Sequence, residues 1–127
     1  NKKIETLFYD TYALYAIAMG GENYKKYAEK HRIVTTLMNL YELFYTLSKE
    51  NNKELAEFFL DKLNNCCVKI NLDIIKKASK FRIENTKKKL SYIDCLGYTV
   101  ANEQKVKFLT GDKAFESLPN VRFVKQR

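Results

Sequence analysis

The sequence predicts an α/β protein in which a central parallel sheet is flanked by helices on both faces. Short apolar runs alternate along the chain with single or paired helical segments, an order that is typical of parallel sheets. The chain has 127 residues, of which 46% are hydrophobic and 13% aromatic, so it can bury one core. One proline and four glycines leave no room for a flexible linker. We therefore expect a single domain over residues 1–127.

The first half of the chain contains two predicted strands, and a pair of helices follows each of them. Residues 4–9 form an apolar run that ends at Asp10, and a helical segment at 12–19 stops at Gly20 and Gly21. The other elements predicted here are a helix at 22–30, a strand at 32–34, a helix from the N-cap Thr35-Thr36 to Ser48, and a helix from the N-cap Asn52 to Asn64.

The second half of the chain continues the alternation, with two helices between its first two predicted strands. The elements predicted here are a short strand at 67–70, a basic helix that begins at Asn71 and runs to about Lys89, a helix from the N-cap Ser91 to about Gln104, a strand at 106–109, a loop at 111–120 and a last strand at 121–124. Helices lie between most successive strands, so these strands can run parallel.

The chain is strongly basic, with 23 Lys and Arg residues against 15 Asp and Glu residues and a formal net charge of +8. Such a surface attracts polyanions, of which nucleic acid is the commonest. The alternative is that lysine-rich helices simply keep the protein in solution. One basic cluster, Lys87-Lys88-Lys89, comes directly before the Ser91 helix.

Several other classes of protein are disfavoured by the composition. His31 is the only histidine, which argues against a histidine-based catalytic triad or a His-rich metal site. Cys66, Cys67 and Cys95 are odd in number and lack C-x-x-C spacing, so we expect reduced packing residues in a cytoplasmic protein. The charge-free run at 11–21 is too short to span a membrane, and no membrane partner is expected.

Two aspartates follow predicted strands directly. Asp10 comes after the first strand, and Asp112 comes after the strand at 106–109, in the sequence Thr110-Gly111-Asp112. Ligands of parallel sheets bind beyond the carboxyl ends of the strands. Because neither a G-x-G-x-x-G loop nor a Walker A sequence is present, these carboxylates favour a cation over a nucleotide phosphate. Taken alone, Asp112 is also a common turn residue after glycine.

A third acidic residue, Glu42, lies in the helical segment "TTLMNLYELFYTL" at residues 35–47. Thr35, Asn39, Glu42 and Thr46 recur at helical spacing and form one polar stripe on an otherwise apolar helix. The stripe is either the solvated face of this helix or part of a site. Short neutral side chains around a single acid favour the site, because the other solvated faces of this chain carry lysine and glutamate.

A fourth acidic residue, Asp94, lies three residues after Ser91 and has a simple local role as the acidic member of a capping box. The small residues Cys95, Gly97 and Ala101 predict that its helix packs tightly against the sheet. This packing would bring Asp94 close to the level of the strand ends. Capping and a place in the site both stay open at this point.

In this order, the stretches "LFYDTYAL", "TTLMNLYELFYTL", "LSYIDCLGYTVAN" and "KFLTGDKAF" resemble a PIN domain. This is the ribonuclease fold of bacterial and archaeal VapC-type toxins, and the resemblance covers nearly the whole chain. It implies a PIN-like three-layer fold with a central parallel sheet flanked by helices. Single motifs such as D-T and T-G-D are common by chance, so the resemblance depends on their order and spacing.

The resemblance also implies the site. Asp10, Glu42, Asp94 and Asp112 match the four family acids that converge on a divalent metal, Mg²⁺ or Mn²⁺. Of these, the three aspartates are the expected metal ligands, and Glu42 would act through water or orient the attacking nucleophile. The residues expected behind or beside the ligands are Thr11, Thr110, Asn39 and Thr35.

The function that the resemblance implies is a divalent-metal-dependent endoribonuclease, in the role of the toxin of a toxin–antitoxin pair. The expected partners are RNA, an antitoxin protein and a second copy of the chain, with Lys87, Lys88 and Lys89 holding RNA phosphates. A housekeeping ribonuclease of the same fold and a non-catalytic RNA-binding or scaffold module are the alternatives. A receiver-type signalling domain is disfavoured, since the chain has neither paired acids at the first strand end nor a Lys-Pro after the last strand.

Overall fold

A computed structural model describes residues 3–126 of the chain. Its centre is a sheet of four parallel strands in the order β2-β1-β3-β4. The strands are β1 (Thr6–Tyr9), β2 (Arg32–Val34), β3 (Lys107–Thr110) and β4 (Val121–Phe123). Because the chain extends the sheet from β1 to β2 and then crosses to the other side of β1, the strand order reverses between β1 and β3.

Six α-helices connect the strands. They are α1 (Thr11–Ala18), α2 (Lys25–Glu29), α3 (Leu37–Lys49), α4 (Lys53–Leu63), α5 (Leu72–Glu84) and α6 (Tyr92–Gln104). Short 3₁₀ turns lie at Glu22–Tyr24, Asn64–Cys66, Thr86–Lys88 and Lys113–Phe115. Among residues 3–126, no helix is both long enough and apolar enough to cross a membrane.

Buried side chains form one apolar cluster on each face of the sheet. Leu7 and Tyr9 of β1 point into the cluster built with α1 to α4, and Phe8 points into the cluster built with α5 and α6. This alternation follows from the two-residue period of a strand, and both faces are apolar because helices cover both. The helix–sheet–helix arrangement confirms the predicted three-layer fold.

Tight packing of α6 on the sheet also confirms a prediction. A Cβ atom added at Gly97 would lie 2.9 Å from Cε1 of Phe8 and 3.4 Å from Cε1 of Phe108, so only glycine fits without movement of the rings. These two rings stack across β1 and β3 with centroids 5.5 Å apart. The close approach brings the first turn of α6 to the carboxyl edge of the sheet.

The predicted strand at 67–70 is wrong. Cys67 forms a single bridge with Thr35, through hydrogen bonds from Thr35 N to Cys66 O and from Val68 N to Thr35 O, both 2.9 Å long. Directly after Thr35 the chain turns into α3, so residues 68–70 have no neighbouring strand with which to pair. A run of β-branched and apolar residues therefore packs on the core without extending the sheet.

Two helix boundaries also differ from the prediction. The basic helix α5 ends at Glu84 rather than near Lys89, because the chain breaks into a 3₁₀ turn and Lys89 takes a left-handed conformation with φ of 55°. The predicted helix at 22–30 begins as a 3₁₀ turn before α2. All three cysteines are free, as expected.

Candidate functional site

The four acidic residues singled out from the sequence line one open pocket of about 360 Å³ at the carboxyl edge of the sheet. We call this the acid pocket. Its lining residues are Asp10, Thr11, Tyr12, Tyr15, Glu42, Thr46, Ser91, Asp94 and Asp112. Because β1 and β3 are neighbours, Asp10 and Asp112 flank the place where the strand order reverses, which is the usual ligand position in such sheets.

Asp10 is the most deeply buried acid of the pocket, with 4% of its surface exposed. It is the N-cap of α1, and its Oδ1 accepts a hydrogen bond of 2.9 Å from the backbone N–H of Ala13. Burial raises the pKa of Asp10 from 3.8 to about 8, against the opposing hydrogen bonds from Thr110 and Ala13. The negative charges of Asp94 and Asp112 raise this pKa further.

Thr110, at the end of β3, connects Asp10 to Asp112. Its side chain hydrogen-bonds the Asp10 carboxylate, and its Oγ1 accepts a bond of 3.0 Å from the backbone N–H of Asp112. Asp112 in turn accepts a bond of 3.0 Å at Oδ1 from the N–H of Ala114. Thr110 is fully buried and lies beneath the acid pocket rather than in its lining.

Asp94 caps its helix and also lines the acid pocket. It forms a complete capping box with Ser91, in which Ser91 N–H donates to Asp94 Oδ2 over 2.9 Å and Asp94 N–H donates to Ser91 Oγ over 3.0 Å. The same carboxylate lines the acid pocket. Burial raises its pKa, and the charges of Asp112 and Glu42 contribute in the same direction.

The polar stripe of α3 divides into two parts. Glu42 and Thr46 line the acid pocket. Asn39 is buried behind it, where its Nδ2 donates to Oγ1 of Thr11 over 3.1 Å. Thr35 is buried as well, and its hydroxyl donates to the carbonyl of Tyr9 over 2.9 Å. Both side chains therefore face inward, behind the lining of the acid pocket.

Three lining residues were not identified from the sequence as part of a site. Tyr12 and Tyr15 follow Asp10 on α1, and Ser91 caps α6. Helical spacing from Asp10 is the signal that could have found Tyr15, as it found Thr46 one turn after Glu42. The predicted phosphate-binding lysines lie outside this lining: Lys87 and Lys88 belong to a 3₁₀ turn, where Lys88 Nζ donates to Ser117 Oγ over 3.1 Å.

The acid pocket has the side chains that suit a divalent cation, but they do not form a complete set of ligands. Carboxylate oxygens are the ligands that Mg²⁺ and Mn²⁺ prefer, and mutual repulsion contributes to the raised pKa values of Asp10 and Asp94. However, no three acidic, histidine or cysteine side chains among residues 3–126 form a group that could hold a metal ion as they stand. The donor set fits a cation in its chemistry, although the side chains as they stand do not form such a group.

Fold and site together define a class: three-layer α/β proteins in which carboxylates gather at the switch point of a small parallel sheet. The family model of the PIN domain matches residues 7–121 of this chain. The chain belongs to the PIN domain family.

Several solved structures with the same fold come from toxin–antitoxin systems. A toxin–antitoxin complex from Klebsiella pneumoniae has a TM-score of 0.72 at 19% identity, over 91% of this chain and 95% of that chain. The Mycobacterium tuberculosis toxin VapC20, which cleaves the sarcin–ricin loop, has a TM-score of 0.72 at 17% identity, over 91% and 98% of the two chains. VapBC2 from Rickettsia felis, bound to promoter DNA, has a TM-score of 0.71 at 21% identity, over 96% and 99%. Comparison with curated protein sequences gives no match.

Proposed function

We propose that this protein is a divalent-metal-dependent endoribonuclease, acting in the cytoplasm as the toxin of a toxin–antitoxin pair. The observation that carries the proposal is the convergence of Asp10, Glu42, Asp94 and Asp112 on one pocket of a PIN domain protein. The similarity in fold to VapC toxins, one of which is an RNA-cleaving toxin, supports the same reading.

In this proposal Asp10, Asp94 and Asp112 hold Mg²⁺ or Mn²⁺. The bound ion would lower the pKa of a water molecule and stabilise the charge on the leaving oxygen of a phosphodiester. Glu42, across the pocket on α3, accepts a proton from the attacking water or orients it. Thr110 links Asp10 and Asp112, because it hydrogen-bonds the side chain of one and the backbone of the other.

Thr11 and Asn39 position the wall of the pocket between α1 and α3. Thr36 Oγ1 donates to Asn39 Oδ1 over 2.6 Å, and Asn39 Nδ2 donates to Thr11 Oγ1. This buried series of hydrogen bonds ties the start of α3 to the residue that follows Asp10. It limits how far Glu42 and Asp10 can move apart, which matters where carboxylates must approach a cation.

RNA binding in this proposal depends on the basic surface, with Lys87, Lys88 and Lys89 holding phosphates close to the first turn of α6. Lys87 and Lys89 are exposed, and Lys88 is half-buried. Their turn leads directly into Ser91, which lines the acid pocket. A phosphate bound here would lie on the same side of the molecule as Asp94.

A protein partner is supported by an apolar groove of about 380 Å³ between α5 and α6. Ile83 and Tyr92 at this groove are 72% and 77% exposed, which is unusual for large apolar side chains that have no partner. The structural neighbours include toxin–antitoxin complexes, so an antitoxin is the proposed partner. We also propose a homodimer, which the mass of the purified protein in solution would test.

The test of the function is incubation of the purified protein with a mixed RNA pool, with Mg²⁺, with Mn²⁺ and with excess chelator, followed by mapping of the RNA ends. We expect cleavage that requires the metal. Asp112→Asn should lower the rate by about 100-fold or more, since even groups behind metal ligands are worth about 10- to 100-fold. Asp61→Asn, an equal change at an exposed acid of α4, should leave it unchanged.

Two results would contradict the proposal. Cleavage that continues undiminished in excess chelator excludes metal-dependent chemistry at this site. RNA binding without cleavage under every metal condition leaves the non-catalytic RNA-binding module as the function. A housekeeping ribonuclease would behave like the toxin in this assay, and it is distinguished by the absence of a neighbouring gene for a DNA-binding antitoxin.

A further inference from the structure

A second pocket, of about 300 Å³, adjoins the acid pocket. We call it the tyrosine pocket. It is lined by Tyr12, Tyr15, Ala16, Met19, Gly21 and Gln126. Tyr12 and Tyr15 line both pockets, so a chain-like ligand with one group in the acid pocket can place its next group here. The volume is at the lower end of the range of small-ligand sites, roughly 300–1,000 Å³.

The walls of the tyrosine pocket suit a flat group with a π face. Tyr15 is half-buried, and its hydroxyl donates to Oε1 of Glu50 over 2.6 Å, which restrains the ring. Ala16 beside it is small and buried, and Met19 at the end of α1 is 48% exposed with a flexible thioether. Since these residues offer mainly apolar surface, they favour stacking over the recognition of a charged group.

A positive charge lies beside the same wall. Lys125 Nζ is 5.7 Å from the centroid of the Tyr12 ring. The ring is held by the backbone of Gln126, whose N–H donates to the Tyr12 hydroxyl over 2.9 Å. A lysine over an aromatic ring at the boundary of the two pockets is suited to a ligand that carries both bases and phosphates.

We propose that the tyrosine pocket binds one unpaired base of single-stranded RNA, stacked on Tyr15, while the neighbouring phosphodiester lies in the acid pocket and Lys125 contacts the backbone. The inference rests on the proposed function and adds a specificity-determining site to it. Cleavage would then occur next to a base that can leave its own stack, which favours loops and other single-stranded segments.

The experiment measures binding of short single-stranded RNAs to the Asp112→Asn protein in Mg²⁺, with one abasic nucleotide moved along the RNA. At one position, loss of the base should weaken binding by about ten-fold or more, the size of one base–aromatic stack. Adding Tyr15→Leu should nearly abolish that difference. Adding Tyr15→Phe should keep it, because the ring remains. Adding Tyr41→Leu, at an exposed tyrosine of α3 that lines neither pocket, should also keep it.

A second measurement avoids dependence on the folding of the variants. An RNA with 4-thiouridine at the sensitive position should crosslink to α1 or to Gln126 in the Asp112→Asn protein. An abasic penalty that is the same with and without Tyr15→Leu, or crosslinks found only outside both pockets, overturns the inference. If metal-dependent cleavage is nevertheless observed, the proposed function survives this failure. If no RNA is bound or cleaved at all, both proposals fail together.

Discussion

Each of the three aspartates in the acid pocket also holds the backbone of its own segment. Asp10 accepts from Ala13 N–H, Asp94 accepts from Ser91 N–H, and Asp112 accepts from Ala114 N–H. These bonds orient the carboxylates before any ligand arrives, and Asp10 has a further hydrogen bond from Thr110. At the scale of single residues, the same three aspartates therefore hold their own backbone segments and line the acid pocket.

The raised pKa of Asp10 predicts a pH-dependent stability for the metal-free protein. The pKa of Asp10 is about 8 in the folded state and 3.8 in the unfolded state. Its protonated form therefore contributes full stability below about pH 4, and this contribution is lost as the pH rises to about 8. Asp10→Asn keeps an acceptor for Ala13 and cannot ionise. Its free energy of unfolding, relative to wild type, should therefore increase from about pH 4 to about pH 8. Urea unfolding with chelator present measures both proteins, and parallel curves would refute the assignment.

The variant Asp94→Asn distinguishes the charge repulsion between Asp94 and its acidic neighbours from the capping role of Asp94 in α6. The amide oxygen can still accept from Ser91 N–H, while one negative charge near Asp112 and Glu42 is removed, so the metal-free variant should melt higher than wild type. Wild type should gain about 2.7 kcal/mol at a hundred-fold excess of Mg²⁺ over its dissociation constant. The variant should gain much less. A variant that melts lower without metal and responds equally to Mg²⁺ would limit Asp94 to its capping role.

At the scale of elements, the site depends on how closely α1 and β4 approach the end of β3. A Cβ atom added at Gly111 would lie 2.2 Å from Cε1 of Tyr12 and 2.5 Å from the carbonyl oxygen of Val124. Gly111 therefore serves a close approach of the backbone rather than a left-handed turn, because its φ lies outside the left-handed region.

Gly111→Ala should therefore lower the free energy of unfolding by about 1–3 kcal/mol, the usual cost of overpacking. It should also reduce cleavage by the folded fraction, because relief of the clash displaces Asp112. Ala101→Val is the control, since it overpacks the core at the last turn of α6, at the opposite end of the helix from Asp94. Thermal melts and rates per folded molecule compare the two variants. Equal rates in both would mean that Gly111 serves the fold alone.

At the scale of the whole molecule, an acidic pocket is set in a protein with a net charge of +8. The two features have separate roles in the proposed function. The basic surface attracts the RNA backbone, and the carboxylates attract a cation. The charge of the cation offsets that of the carboxylates, so a phosphate can enter the pocket. Without metal, the pocket itself repels phosphates, so binding and cleavage should differ in their dependence on metal.

Replacement of Lys87, Lys88 and Lys89 by Gln tests which lysines take part in binding. Each phosphate contact on a single strand contributes about 0.7 to the slope of log binding constant against log salt, so the triple variant should lower the slope by about 2. Lys25, Lys26 and Lys30, replaced together by Gln, remove the same charge near α2 and should change the slope less. Equal changes in the two variants would indicate a general field rather than contacts at residues 87–89.

The order and type of most elements could be predicted from the sequence because their signals are local. Thr36, Asn71 and Ser91 cap the helices that the sequence assigned to them, and the helix after Ser91 ends at Gln104 as expected. The strand wrongly predicted at residues 67–70 shows the limit of such local signals. Strand propensity at 67–70 is real, but a strand needs a partner, and Thr35 supplies only one bridge before α3 begins.

Taken alone, the sequence determined most of the helices and strands and the acids at their ends, since periodicity, caps and strand ends depend on neighbouring residues. Only the tertiary structure decided that β1 lies between β2 and β3, that Asp94 faces Asp112 and Glu42 while it caps α6, and that Asn39 turns inward to Thr11. It also decided that Tyr12 and Tyr15 line the site. These relations join residues far apart in the chain, and they follow from how helices pack across the sheet, which no local pattern specifies.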